Sequence, residues 1–246
     1  MNADDWGRDR NTTDCIFDCV RCSTVSSVSA MVFMEDSTRA AELAQDHRVD
    51  AGLHLNFTLS FSDTRVPSQL LNHQARISRY LRQHRLSQAV FHPGLARSFE
   101  YLVAAQRDEF TRLYEHEPLR IDGHHHMHLC ANVLFGGLLP SGTIVRRNFS
   151  FSPGEKGLAN RCYRGTIDWV LGRRHLVTDF FFSIQPLTSL SRLQQIVDLS
   201  RHHVVELETH PKDPAEYAFL TGYRAKAFAD HGLIASHYDL SPYRSS

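Results

Sequence analysis

Long hydrophobic runs are missing from this 246-residue chain. No stretch approaches the ~20 apolar residues that span a bilayer. Net charge is missing as well. Twenty-seven Lys and Arg balance 27 Asp and Glu, so no basic field exists to hold nucleic acid by counterion release. No Gly-x-Ser-x-Gly elbow occurs and no Cys stands in a nucleophile motif, which argues against a covalent acyl-enzyme. Gly-rich phosphate loops are also lacking, which argues against nucleotide chemistry. The five cysteines are an odd number, and no signal peptide is evident, so a reducing, cytoplasmic setting is expected. Cys15, Cys19 and Cys22 share one helix face. Cys19-Val-Arg-Cys22 has neither a second Cys pair nor a nearby His cluster to make a metal site with, and it reads as a helix side packed on the core.

What is present is enough hydrophobic content, 42% of residues, for one core over 1–246. The length matches the ~200–250 residues of a single α/β barrel. Strand-like runs over 26–33, 50–58, 119–123, 143–148, 179–184 and 203–208 alternate with helix-like segments. Those segments are 12–22, 37–48, 94–116, 131–139, 189–201 and 214–231, the last ended by Gly232. Asp36-Ser37 and Ser189 are candidate N-caps. The strands are too apolar for one solvated face, which argues for a parallel sheet covered on both sides. A (β/α) barrel fits better than an open sheet, because the chemically loaded residues fall at the carboxyl ends of separate strands.

Those residues are mostly histidines, of which the chain has 16. Ile121-Asp122-Gly123-His124-His125-His126-Met127-His128 puts four in five positions. Packing does not need so many imidazoles together. In an extended backbone His124, His126 and His128 share a face; in a helix His124 and His128 do. Gly52-Leu53-His54-Leu55-Asn56 places His54 opposite Leu53 and Leu55. Asn2-Ala3-Asp4-Asp5-Trp6-Gly7 opens the chain with paired carboxylates. Together these segments supply the Asp and His donors that a divalent metal takes. Asp122 is placed to orient a ligating imidazole through its second nitrogen. His210, in Glu208-Thr209-His210-Pro211, is an imidazole of the kind that suits a general acid, with at least one of Glu206 and Glu208 facing the barrel to tune it. Of Arg146 and Arg147, one should face the barrel mouth and fix Asp4 or a substrate. Trp6, Phe57 and Phe151 are candidate aromatics for stacking on a bound ring.

One feature is anomalous. Asn2-Ala3-Asp4-Asp5 reads as a strand end, yet only Met1 precedes it. The expectation is that the first strand is missing, through a misassigned start or a real truncation.

In this order, the three motifs and the late His210-Pro211-Lys212 resemble the YdjC-like carbohydrate deacetylases, a family that includes chitooligosaccharide and hopanoid-associated sugar deacetylases. The resemblance covers nearly the whole chain. Departures are Trp6 where Phe is usual, Gly123 where Ser is common, and Lys212 where Gly is usual. The resemblance implies an irregular, TIM-like barrel of about seven parallel strands. It implies one divalent ion, zinc or magnesium, held by Asp5, His54 and His124, with Asp4 as base and His210 as acid. Two imidazoles lean towards zinc or another transition metal. Arg146, Trp6 and His128 would bind or orient the substrate. The implied substrate is an N-acetylated amino sugar or oligosaccharide, which loses acetate. Two other readings stay open: a truncated, non-catalytic paralogue that binds sugar or metal, and a barrel metallohydrolase acting on phosphoesters or cyclic amides, whose sites often use two metals. The oligomeric state is open too; a homodimer would be unsurprising for such a barrel.

Overall fold

In the computed structural model, which describes residues 1–84, 86–150, 157–187, 189–223, 225, 234, 235, 238 and 240, seven parallel strands form one curled sheet. They are β1 (Asn2–Trp6), β2 (Ser27–Ala30), β3 (Asp50–Leu55), β4 (Arg120–Gly123), β5 (Ile144–Val145), β6 (Phe180–Ser183) and β7 (Val205–Thr209). Their order across the sheet is 5-4-3-2-1-7-6. The two edges approach each other. Ile144 bridges Leu176, and the Ser150 amide donates to the Phe181 carbonyl over 2.7 Å. The sheet is therefore an irregular, incompletely closed barrel. Parallel strands need crossovers, and helices α1 (Arg10–Arg21), α2 (Ser37–His47), α3 (Ser68–Gln83), α4 (Ala96–Tyr114), α5 (Ala131–Phe135), α6 (Leu158–Gly172) and α7 (Leu190–Ser200) supply them, with α8 (Pro214–Leu220) following β7.

The first strand is in place. β1 lies between β2 and β7 and is buried along its length. It is short: it registers with β7 only at Glu208 and Thr209. Expecting its absence rested on the lack of apolar residues upstream. Here the strand is built from the polar residues themselves, and Asn2, Asp4 and their neighbours bond to one another inside the barrel.

Two helices escape the sequence pattern. In α3 the buried positions are Leu70, Gln74, Ile77 and Leu81, a helical spacing interrupted by an amide. The Gln74 side chain accepts from the Phe61 amide and donates to the Leu59 carbonyl, so it ties down the loop after β3. In α6 only a few apolar side chains, among them Ile167 and Leu171, are buried, while Trp169 is 58% exposed. The stripe is too thin to register in the sequence. Helix α8 stops at Leu220, where Thr221 and Gly222 interrupt the run expected to reach 231; Tyr223 and Ala225 are again helical, and residues 224 and 226–233, including Gly232, lie outside the described residues. Asp213 caps it by accepting from the Ala215 and Glu216 amides, with Pro214 at its first position. Among the described residues no helix is long and apolar enough to cross a membrane.

The barrel interior is polar. Gly52 faces inward, and a Cβ there would come within 2.8 Å of the Arg120 Nε. Arg120 crosses the lower barrel to the Val28 carbonyl at 2.8 Å, Asn2 Oδ1 at 3.2 Å and Asp50 at 3.1 Å. Above it Arg146, with none of its side chain exposed, meets four carboxylates: Asp4 at 2.6 Å, Asp122 at 2.7 Å, Glu206 at 2.8 Å and Glu208 at 3.3 Å. Burial of this kind is tolerated only when charges are paired and their hydrogen bonds made. The guanidinium fork provides both.

Candidate active site

The site opens at the carboxyl ends of β1, β3, β4 and β7. Adjacent residues of an extended strand point to opposite faces, yet Asp4 and Asp5 border one cavity. The reason is local. Asp5 has φ +69°, in the left-handed region, and the β1–β2 register slips between Ala3 and Trp6. Asp tolerates that conformation better than most residues. Gly7 follows at φ +83°, where a Cβ would lie 3.1 Å from the Met31 carbonyl oxygen and 3.2 Å from the Ala40 Cβ. This turn brings Arg8 back to Asp5 Oδ2 at 2.9 Å.

Asp5, His54 and His124 meet, with one donor atom from each lying within 4.8 Å of the others. His54 Nε2 is 3.6 Å and His124 Nδ1 2.9 Å from Asp5 Oδ1. That oxygen is buried and accepts no hydrogen bond; the His124 approach, though close, lacks the geometry of one. A buried carboxylate oxygen without a donor needs another positive partner. The other nitrogen of His54, Nδ1, lies 2.7 Å from Asp122 Oδ1, which leaves Nε2 for the cavity. Asp122 is fixed in turn by Arg146 and by the Ser29 hydroxyl, which donates over 2.5 Å. These residues fit a divalent ion: two imidazoles and one carboxylate from three strand ends, an oriented ring, and an orphaned oxygen at the centre.

The electrostatics agree. Burial alone would raise the Asp5 carboxyl, but His124 and His54 outweigh it and hold Asp5 below the usual carboxylate range. Burial likewise opposes ionisation of Asp4 and Asp122, and the Arg146 guanidinium reverses that for both. Burial would lower His54, yet Asp4 and Asp122 draw it upward. The cavity therefore favours added positive charge.

Asp4 lies beside the cage, its Oδ2 4.0 Å from His54 Nε2. Both of its oxygens are held: Arg146 donates to Oδ2 at 2.6 Å and to Oδ1 at 2.7 Å, and Asn2 Nδ2 donates to Oδ1 at 2.9 Å. Asp4, Glu208 and His210 form a second close group, again within 4.8 Å. His210 is partly exposed. Its amide donates to Glu216 Oε2 at 2.6 Å, and its carbonyl accepts from the Asp213 amide, so the cap of α8 seats it. Burial and the Asp4 charge push Glu208 well above the usual carboxylate range.

The His run is neither extended nor a regular helix. Residues His124–Leu129 form a tight 3-10 turn in which His125 and His126 adopt φ of 54° and 56°. Only His124 enters the cage. His125 contacts the Thr58 hydroxyl at 3.0 Å. His126 faces Glu208 at 3.6 Å, and burial with the nearby Arg146 lowers it to about 3. His128 is fully buried, its Nε2 on the Arg146 carbonyl oxygen at 2.9 Å, and burial lowers it to about 4. Both rings are thus neutral at neutral pH. His128, expected to orient substrate, has no part that reaches solvent here and contacts the Arg146 backbone instead.

Trp6 does not face the site. It is fully buried, donates from Nε1 to the Ala40 carbonyl on α2 at 3.1 Å, and packs near Phe17 on α1. The turn at Asp5 sends the next side chain outward. Phe57 is also buried, against Phe99 of α4. Phe151 lies outside the described residues. The two arginines separate: Arg146 turns inward, whereas Arg147 pairs with Asp168 of α6 at 2.9 Å and donates to the Thr178 and Asp179 carbonyls. Lys212 reaches Asp9, the N-cap of α1, at 3.0 Å, linking the turn after His210 to the first helix. Sequence reasoning missed Arg8, which only the Gly7 turn brings back. It expected at least one of Glu206 and Glu208 to face the barrel; both do, and the proximity of Glu208 to Asp4 was not foreseen.

The fold and the site together define a parallel α/β barrel with a cluster of carboxylates and imidazoles at its carboxyl rim. The chain belongs to the YdjC-like protein family, whose model matches residues 1–234. It is 29% identical to a carbohydrate deacetylase of Danio rerio over 63% of this chain and 50% of the relative. It is 28% identical to a chitooligosaccharide deacetylase of Klebsiella pneumoniae subsp. pneumoniae and 30% identical to one of Yersinia pestis, each over 54% of this chain and 51% of the relative. The matched region thus spans about half the length of these relatives. A solved structure, that of a proposed cellobiose-phosphate cleavage protein from Enterococcus faecalis V583, superposes with a TM-score of 0.68 at 19% identity, covering 96% of this chain and 95% of that one. That likeness concerns the fold.

Proposed function

We propose that this protein is a metal-dependent hydrolase that removes the acetyl group from an N-acetylated amino sugar or oligosaccharide. The observation that carries the reading is the orphaned, buried Asp5 Oδ1 between His54 and His124. The names of the relatives support the substrate class. Asp5, His54 and His124 would hold zinc or magnesium. Bound there, the ion would supply a Lewis acid for the acetyl carbonyl and for water.

The protein's own residues do the rest. Arg146 and Asn2 keep Asp4 ionised and aimed, so that it accepts a proton from the attacking water. The clamp lowers its basicity and guarantees its charge and direction. The water oxygen bonds to the acetyl carbon, and the carbon–nitrogen bond then breaks. His210, close to Asp4 and open to solvent, delivers a proton to the departing amine nitrogen. Acetate and a free amino sugar result. Asp122 keeps His54 in one tautomer throughout. In the two-metal form of the phosphoester reading, a second ion at Asp4 and Glu208 would compete with the Arg146 guanidinium.

The test is to incubate the metal-loaded protein with N-acetylglucosamine oligomers and measure acetate and new primary amine together. Equal release of the two is expected. A folded, metal-loaded protein that releases neither would sink the proposal.

A further inference from the structure

Tyr238 lies at the opposite end of the barrel from the metal cage, and yet it touches the two networks that hold Asp4. Its hydroxyl donates to Glu206 Oε2 at 2.8 Å. The other oxygen of Glu206 receives Arg146 Nε at 2.8 Å, and Arg146 grips Asp4 Oδ2 at 2.6 Å. The Tyr238 ring lies under the Arg120 guanidinium, 4.5 Å from its carbon, and the Tyr238 amide donates to Asp50 at 2.6 Å. Asp50 also pairs with Arg120, Arg120 donates to Asn2 Oδ1 at 3.2 Å, and Asn2 donates to Asp4 Oδ1 at 2.9 Å. The first path thus reaches both oxygens of Asp4, and the second reaches Oδ1. Every link between Glu206 and Asp4 is buried.

We propose that Tyr238 is a positioning residue for Asp4, acting through Glu206–Arg146 and through Arg120–Asn2. The role of Asp4 as base rests on the deacetylase reading; the coupling of Tyr238 to Asp4 does not. A buried carboxylate with both oxygens bonded has one orientation. If one donor is removed, Glu206 can rotate, Arg146 follows, and the fork on Asp4 loosens. Small displacements of a reacting group carry large rate penalties.

The test uses Tyr238→Phe, which removes the hydroxyl and keeps the ring on Arg120, with Tyr223→Phe, 88% exposed, as the control. The first readout is the Asp4 carboxyl carbon resonance in metal-loaded, carbon-13 aspartate-labelled protein. It should move in Tyr238→Phe and stay in Tyr223→Phe. The second is turnover: kcat should fall by about 3–10-fold with KM unchanged, as expected for a loss confined to the transition state. Glu206→Gln should move the same resonance, and adding Tyr238→Phe to it should lower kcat little further, because both act on one path. An unmoved Asp4 resonance in folded Tyr238→Phe overturns the proposal, as does an unchanged kcat in an active enzyme. If the wild type releases no acetate, the deacetylase reading fails, and the resonance alone still decides whether Tyr238 positions Asp4.

Discussion

Replacing Arg146 by methionine is expected to lower the melting temperature by roughly 6–20 °C at neutral pH, more than any surface substitution. The side chain is wholly buried, holds Asp4 and Asp122 in their charged form, and bonds Glu206 and Glu208. Removing one member of a buried ionic group costs about 3–5 kcal/mol, because the partners remain desolvated and uncompensated. That is a large share of the ~5–15 kcal/mol by which folded domains are stable. The pH dependence has a definite sign. In the wild type, Arg146 holds Asp4 and Asp122 below their ordinary range. A carboxylate with a depressed folded pKa contributes stability above its unfolded pKa and loses it as pH falls. The deficit of the variant should therefore be greatest near neutrality and shrink through the ordinary carboxylate range. Thermal unfolding followed by circular dichroism at several pH values measures both. A melting temperature within about 2 °C of wild type at pH 7, less than 1 kcal/mol for a chain of this size, would mean that the carboxylates do not depend on Arg146.

Asp4→Asn should reduce turnover by about 10²–10⁴-fold, the contribution of a general base, while the protein keeps its metal. The amide has nearly the shape of the carboxylate and still offers Arg146 one oxygen. It has no charge and cannot accept the proton of water. Asp5, His54 and His124 are left intact, so the metal content should match wild type. Steady-state acetate release with metal analysis of the same samples separates the roles. Loss of metal along with activity would make Asp4 a ligand. Retained turnover would make another group the base.

Much of this site can be read from the residues. His54 and Asp122 sit on the inward faces of apolar strands because side chains alternate, and His124 follows a strand end. Inward placement of Asp4 needed more than alternation, since Asp5 should then have pointed away. The left-handed turn at Asp5 resolves that, and nothing in Asp-Asp-Trp-Gly prescribes it beyond the glycine. The same turn explains why Trp6, adjacent to two site residues, belongs to the packing of α1 and α2. Arg146 and Arg147 are indistinguishable in sequence; strand register turns one into the barrel and the other towards α6. The polar barrel interior is the least legible feature. Asn2, Ser27, Ser29 and Arg120 look like poor strand residues one at a time, and only the network among them accounts for β1. Helix α3 was hidden for a related reason, its apolar stripe being completed by a glutamine bonded to backbone.

The most direct test of the account is metal content per chain, measured by plasma emission on wild type and His124→Ala in parallel. One divalent ion per chain in the wild type, lost in a folded His124→Ala, is the predicted result. Folded wild type that takes up no metal when offered zinc or magnesium would contradict it, as would a His124→Ala that keeps its ion.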